Sequence, residues 1–480
     1  MSAEYNIILE KCRRGELEIK ADSREVKPGD IYVAIPGEKD DGARYIADAL
    51  RAGASYVVCE ATPKSGFGNS TVIIRDNARK ALSELASARY GTGEAKAKII
   101  GVTGTNGKTT SAYLLEHLFS SLGYKTGVLG TVSYRWGETV IPAPLTTPDP
   151  LTLHKIIAEM NADGVQYIIM EVSSHALAQF RADGLPFAAA LFTNLTQDHL
   201  DYHPDMESYF RAKARLFFDL PDNDKKMVIN GDDPYGRRLL ELFPDALSFG
   251  LHCSLSPNKS LKGKILRSGR DGHKLEMSAD NTKWTFDTPL VGEFNIYNLL
   301  GAQGVALSLG IEPERLTALG DFAGVRGRLE RVPNAKGLNI FVDYAHTPDA
   351  LIKAIQALRE SGFRKIIALF GCGGDRDKSK RPLMAEAVAT RADVAILTSD
   401  NPRFEDPDAI INDALPGLAN ARQVIVERDR KKATAAGISL LGSDDALLIA
   451  GKGHEDYQLI KGVKYHYSDQ ETARELANCD

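Results

Sequence analysis

The chain has 480 residues, 43% of them hydrophobic and 26% charged, and its 59 basic and 64 acidic residues give a formal net charge of −5. That length exceeds a single hydrophobic core and predicts three domains, each able to bury an interior. No long block of one sign supplies a general electrostatic case for nucleic acid or an anionic membrane, so anion binding has to be local.

Residues 1–97 hold short strand-like runs, Ile31-Tyr32-Val33-Ala34-Ile35 and Ser55-Tyr56-Val57-Val58, around a helical pattern at 44–53, and predict a small α/β domain. The opening MSAEYNIILEKCRRGELEIK lacks a basic segment followed by a long apolar one, and no apolar stretch approaches bilayer length, so a soluble cytoplasmic protein is expected. The five cysteines, Cys12, Cys59, Cys253, Cys372 and Cys479, are scattered without metal-ligand spacing, which suits a reducing compartment. The small polar stretch 91–98 predicts a linker.

Residues 101–110 then read GVTGTNGKTT, between the apolar pair Ile99-Ile100 and a helical pattern from Ser111. Strand, glycine-rich turn and helix together predict a phosphate cradle: backbone N–H groups of Gly104, Thr105, Asn106 and Gly107 converge on phosphate oxygens, Lys108 adds charge, and Thr109 and Thr110 open the helix, with Thr109 offering a hydroxyl to Mg²⁺. ATP is the expected guest. The glycines fall at 101, 104 and 107, whereas the strict phosphate-loop pattern wants one at 102, which is Val102.

Across 98–325 the runs at 127–130, 167–170, 188–192 and 227–229 alternate with helical patterns and predict a largely parallel sheet with its ligand site at the carboxyl ends. Glu171 leaves one strand on that rim and either binds Mg²⁺ or caps the next helix. His199, within Asp198-His199-Leu200-Asp201, is either a hydrogen-bonded loop residue or a metal ligand. Lys213 lies on an amphipathic helix over 208–218 whose charges ordinarily form a solvated face; it gains a role only if burial neutralises it and it captures CO₂ as a carbamate. A polar interval at 254–284 predicts a hairpin excursion, and 326–480 repeats the α/β alternation as a Rossmann-like domain. Four turns there, at 343–348, 371–378, 400–403 and 451–455, each follow a predicted strand, as a small ligand with several charges requires.

The stretches GVTGTNGKTT, MEVSSHAL, DHLDYH, GEFNIYN, GRLERV, DYAHTPDAL, GCGGDRDK and GKGHEDYQ occur in the order of the signatures of the Mur ligase family of ATP-dependent amino-acid-adding enzymes, and the chain resembles that family over essentially its whole length. The resemblance implies a uridine-nucleotide domain at 1–97, a central P-loop ATPase domain at 98–325 and an amino-acid-binding domain at 326–480 that swings in to close the site. Asp400-Asn401-Pro402-Arg403 is similar to the recognition motif of members that add meso-diaminopimelate to UDP-N-acetylmuramoyl-L-alanyl-D-glutamate. The partners so implied are that dipeptide nucleotide, ATP with Mg²⁺, and meso-diaminopimelate, handled by a monomer.

Carried across residue by residue, the resemblance implies that Ser23 and the loop 37–42 meet the UDP part, although Glu38-Lys39-Asp40 departs from the histidine-containing loop of some relatives. It gives Thr146, Thr147, Ser173, Gln179 and Arg181 to the sugar-dipeptide, Asn298, Arg328, Asp343 and His346 to ATP, and Lys108, Glu171, His199 and a carbamylated Lys213 to catalysis, the last three with Thr109 as metal ligands. Gln197 stands where relatives commonly have a basic residue. Arg376, Asp400, Asn401, Pro402, Arg403, Gly451 and Glu455 correspond to the diaminopimelate contacts. A guanidinium can take the second carboxylate of diaminopimelate bidentately while Glu455 pairs with its ammonium, and lysine would leave Arg403 unpaired at a cost of roughly 1–3 kcal/mol. A sister ligase adding lysine or another diamino acid, and a folate-polyglutamating relative, share the ATP core. A nucleotide-gated switch or transport ATPase could use the same loop but has no need of the turns at 371–378, 400–403 and 451–455.

Overall fold

The structure is a computed structural model and describes residues 3–37, 40–63, 70–218, 226–252 and 259–478. Glu38 and Lys39 of the 37–42 loop, Cys253 and Cys479 lie outside the described residues. The chain divides into two compact units: one made of 1–262, 279–282 and 298–316, the other of 263–278, 283–297 and 317–480.

In the first unit, β1 (Ile19–Lys20), β2 (Ile31–Val33), β3 (Tyr56–Cys59) and β4 (Thr71–Ile74) pair in that order, all parallel. Period two splits their side chains. Ile31, Val33 and Val58 face a core shared with Tyr5, Ile8, Leu82 and Leu85 from helices Ala3–Arg13 and Ala78–Tyr90. Tyr32, Ala34 and Val57 face Ile46 and Ala49 from helix Ile46–Arg51.

The predicted linker is not loose. Helix Ala78–Tyr90 ends at Gly91 in the left-handed conformation (φ 66°), a short 3₁₀ turn follows, and Thr92 is buried with its hydroxyl on Nδ1 of His154.

The central sheet contains β5 (Lys98–Thr103), β6 (Thr126–Leu129), β7 (Ser133–Trp136), β8 (Thr139–Pro142), β9 (Tyr167–Glu171), β10 (Phe187–Phe192), β11 (Met227–Asn230), β12 (Leu247–Gly250) and β13 (Ser260–Gly269). Their order is β13-β12-β11-β10-β5-β9-β6-β7-β8, parallel except for the β6-β7-β8 meander. β5 lies in the middle, buried on both faces, which is why it reads as an unbroken apolar run. Gly101, counted above with the loop glycines, proves to be part of this strand: a Cβ there would stand 3.0 Å from Phe187 and Leu216, so its task is packing. β14 (Gly272–Ala279) and β15 (Thr282–Thr288) supply the predicted polar excursion.

In the second unit, β16 (Glu330–Arg331), β17 (Ile340–Asp343), β18 (Ile366–Cys372), β19 (Val394–Ser399), β20 (Val424–Val426) and β21 (Ala446–Ala450) form a sheet of order β16-β17-β21-β18-β19-β20. All its pairings are parallel but that of β16 with β17. Parallel register brings the four turns that follow β17, β18, β19 and β21 to one carboxyl edge, as the sequence predicted. Among the described residues no helix is long and apolar enough to cross a membrane.

Candidate active site

The turn after β5 has the geometry of an anion cradle. Gly104 and Gly107 take φ of 149° and 87°, and helix Lys108–Ser121 begins directly after Gly107. Neither glycine tolerates a side chain: a Cβ at 104 would meet Thr193 Oγ1 at 1.9 Å, and one at 107 would meet Asn298 Oδ1 at 2.3 Å. Asn298, on helix Glu293–Ser308, is thereby placed beside the loop. Lys108 Nζ donates to the carbonyls of Gly104 and Thr105, both at 2.9 Å, while Thr105 N and Asn106 N are held by Asn194 at 2.9 and 3.0 Å.

Glu171, at the end of β9 and 1% exposed, accepts from Thr109 Oγ1 at 3.0 Å. Thr131 grips the same carboxylate twice, with its N–H at 2.9 Å and its hydroxyl at 3.2 Å. These interactions identify Glu171 as part of the loop's rim; the cap of the next helix is Ser173, whose Oγ accepts from Ala176 N. A hydroxyl and a carboxylate side by side are the hard oxygen donors Mg²⁺ takes, with phosphate and water completing its shell. No group of three or more His, Cys, Asp or Glu among the described residues is spaced as a ready-made protein cage.

The residues expected at the sugar-dipeptide are contiguous with this rim. Thr131 Oγ1 touches Thr146 Oγ1 at 3.1 Å, and Thr147 Oγ1 donates to the Glu171 carbonyl at 2.8 Å and accepts from Ser173 N at 3.1 Å. Arg181 donates to the Thr147 carbonyl at 2.9 Å and to Gln179 Oε1 at 2.7 Å. Ser23 lies apart from this network, opening the 3₁₀ turn Ser23–Glu25 under an Asp22 cap. The paired Arg24 guanidinium lowers the Asp22 carboxyl to about 2.

Lys213 is 1% exposed, with Nζ 2.8 Å from the Gly104 carbonyl and 4.7 Å from the centre of the Tyr209 ring. The solvated face expected of its helix is corrected here. Helix Met206–Phe218 buries Tyr209, Phe210, Ala212, Lys213, Ala214, Leu216 and Phe217, which leaves the lysine inside. Burial first, then the neighbouring Lys108 charge, pushes its amine well below the usual lysine value.

His199, at a left-handed φ of 53°, packs edge-on to His175 at 4.9 Å, and His203 lies 5.7 Å from His175 and 5.1 Å from Tyr209. Burial depresses all three imidazoles, His175 to about 4. Thr131, His175, His203 and Tyr209 were not singled out from sequence, and only the histidines carried a signal, in MEVSSHAL and DHLDYH.

In the second unit, Arg328, Asp343 and His346 gather at the end of β17. Asp343 accepts from Leu329 N at 2.6 Å and Ala345 N at 2.7 Å, and burial raises its carboxyl. Arg328 lies 4.9 Å over Tyr344, whose ring is 4.7 Å from His346.

At the same edge, Asn401 Nδ2 donates to Glu455 Oε2 at 2.8 Å, and Asn401 Oδ1 accepts from Leu459 N at 2.9 Å and Lys452 Nζ at 3.2 Å. Arg403 takes a left-handed φ of 53°, is half-buried, and donates from Nη1 to the Gly374 carbonyl at 2.6 Å. Gly451 (φ 116°) approaches Asp400 so closely that a Cβ would stand 2.5 Å from its Oδ2, and a Cβ at Gly374 would stand 2.0 Å from the Pro402 carbonyl. Arg376 is exposed beside them. Behind, the buried Arg430 guanidinium is clamped by Asp469 at 2.8 and 2.7 Å and donates to the carbonyls of Ala450 at 2.9 Å and Ser399 at 3.4 Å, which tethers the ends of β21 and β19.

Three stretches of the chain match known families. Residues 18–90 match the Mur ligase family catalytic domain, 102–306 the Mur ligase middle domain, and 327–453 the Mur ligase glutamate ligase domain. The UDP-N-acetylmuramoyl-L-alanyl-D-glutamate--2,6-diaminopimelate ligase of Lawsonia intracellularis is 51% identical over 476 residues, covering 98% of this chain and 99% of the relative. The protein of the same name from Aquifex aeolicus is 42% identical over 462 residues, with coverage of 96% and 94%. A solved structure of a ligase with that name superposes with a TM-score of 0.70 at 32% identity, covering 96% of this chain and 94% of the other. The MurF ligase of Thermotoga maritima in complex with ADP shares the fold, with a TM-score of 0.60 at 19% identity over 99% and 98% of the two chains.

Proposed function

The chain belongs to the Mur ligase family, and we propose that it works as that family's diaminopimelate-adding member, with the site residues described above in the roles that follow. It is an ATP-dependent ligase that joins meso-diaminopimelate to the D-glutamate γ-carboxylate of UDP-N-acetylmuramoyl-L-alanyl-D-glutamate in peptidoglycan precursor synthesis. The observation that carries this reading is the end-to-end 51% identity to a ligase of that name.

A carboxylate cannot expel oxide, so ATP first transfers its γ-phosphoryl to the γ-carboxylate, giving an acyl phosphate and ADP. The amine of diaminopimelate then attacks the acyl carbon, the tetrahedral intermediate expels phosphate, and the amine's proton is lost to solvent or base. The N–H groups of Gly104 and of residues 107–109, with Lys108, bind the β- and γ-phosphates, while those of Thr105 and Asn106 are held by Asn194 and brace the loop, which Asn298 flanks. Thr109 and Glu171, with His199 and a carbamylated Lys213, would hold Mg²⁺, which supplies charge neutralisation for the transferred phosphoryl group. Carbamylation of Lys213 needs a neutral amine, which its burial supplies: amine and CO₂ give the carbamate and a proton.

Ser23 and the loop 37–42 take the uridine nucleotide, Thr146, Thr147, Ser173, Gln179 and Arg181 the sugar-dipeptide, and Arg328, Asp343 and His346 border ATP. Arg376, Asp400, Asn401, Pro402, Arg403, Gly451 and Glu455 take the diaminopimelate. The division into three domains at about 97 and 325, a monomeric state and a cytoplasmic location belong to the same reading.

The test is turnover with ATP, Mg²⁺ and the dipeptide nucleotide, comparing meso-diaminopimelate, L-lysine and L-ornithine. Phosphate release is expected to need both cosubstrates and to follow diaminopimelate, and Arg403→Ala to lower kcat/KM for it by roughly 10–200-fold. Equal turnover of lysine would overturn the specificity assigned to Arg403.

A further inference from the structure

Lys452 has no part in the roles given so far, yet its side chain is fully buried, at 0% exposure, beside two residues that read the incoming amino acid. Nζ donates to Asn401 Oδ1 at 3.2 Å and to Glu455 Oε2 at 3.4 Å, and sits 5.6 Å from the centre of the Tyr457 ring. Asn401 Nδ2 closes the triangle on the same Glu455 oxygen at 2.8 Å.

Two physical consequences follow. Asn401 Oδ1 accepts from Lys452 and from Leu459 N, which fixes the amide's orientation and leaves Nδ2 for Glu455. Glu455 Oε2 in turn receives two donors, one of them charged, so this oxygen is committed to the protein. A buried ammonium is tolerated only when paired and hydrogen-bonded, and here the pairing is made entirely within the recognition turn.

The geometry points to Lys452 as the positioning residue of the amino-acid pocket: it locks Asn401 and Glu455 to one another so that the turns after β19 and β21 present a single, pre-set surface to the diaminopimelate. This assignment rests on the reading of those turns as the diaminopimelate site. Lys452 does not touch substrate; it acts through its two partners.

The experiment is steady-state kinetics of the full chain with Lys452→Met, which keeps the aliphatic length and removes the charge, together with Glu455→Gln and the double variant. Lys452→Met is expected to raise the KM for meso-diaminopimelate roughly tenfold or more, while the KM values for ATP and the dipeptide nucleotide change less than about twofold. The double variant should lose clearly less than the sum of the two single variants, since part of the lysine's effect runs through that carboxylate and the rest through Asn401. Equal changes in all three KM values, or fully additive losses in the double variant, would overturn the proposal by making Lys452 merely structural. If Lys452→Met does not fold, Lys452→Arg carries the test: a bulkier cation displaces both partners and should raise the diaminopimelate KM alone, and unchanged or uniformly raised KM values overturn the proposal. Failure of the wild-type chain to use meso-diaminopimelate at all would instead sink the underlying reading of the site.

Discussion

The phosphate-loop rim and the carboxyl edge of the second sheet both collect charged side chains, but they treat charge in opposite ways. At the rim, Lys213 meets a carbonyl and an aromatic face, and His175, His199 and His203 are all pushed toward neutrality by burial. At the second edge the buried basic side chains are matched within the protein: Lys452 with Glu455, Arg381 with Glu405 and Asp413, Arg430 with Asp469, while the half-buried Arg403 meets a carbonyl. The first arrangement suits a polyanion that brings its own charge and cations. The second suits a zwitterion, whose recognition needs donors and acceptors fixed in advance.

The largest effect should come from breaking the second arrangement at its base. Arg430→Met leaves Asp469 buried without its cation and frees the Ala450 and Ser399 carbonyls, and is expected to destabilise the protein by about 3–5 kcal/mol, read by urea unfolding. A loss below about 1 kcal/mol would mean that this ion pair does not anchor the edge. At the rim, Lys213→Met keeps the buried volume but cannot form a carbamate, so kcat should fall roughly 100- to 1,000-fold with little change in stability, and short-chain carboxylates should restore part of it. Unchanged turnover would break the contrast from that side.

A smaller effect sharpens the comparison from outside both regions. His154, under the docked linker, is held at about 4 by burial against an ordinary 6.5. Its depressed folded value means that the unfolded chain binds the proton first, so its contribution is intact above 6.5 and is lost as pH falls toward 4. At pH 5 the loss is about 2 kcal/mol, and His154→Gln should flatten that part of the stability profile.

Much of this was legible in the chain. The order of turns after apolar runs placed Gly104–Thr109, Glu171 and the 400–403 and 451–455 segments on sheet edges, because a parallel strand must end where its connection begins. What was not legible is burial. A helix with Arg211, Lys213 and Arg215 looks solvated by composition, and only its enclosure on several sides puts Lys213 inside. Likewise Arg430 and Lys452 are ordinary basic residues in sequence; Asp469 lies 39 positions from the first and Asn401 lies 51 from the second, so only the contact of Lys452 with Glu455, three positions on, is local. Thr131 carried no pattern at all, since its grip on Glu171 depends on how β6 and β9 align. Gly101 misled for the converse reason: it opens the glycine-rich stretch GVTGTNGKTT in sequence, yet it lies inside β5 and its neighbours in space are Phe187 and Leu216.

The tight glycines of the second edge bear on inhibition. A Cβ at Gly451 would collide with Asp400, one at Gly373 would come within 2.9 Å of Arg403 Nη1, and one at Gly374 would strike the Pro402 carbonyl. If this edge takes the amino acid as proposed, a compound that mimics it faces walls that cannot thicken without dislodging Asp400, Arg403 or the Pro402 backbone.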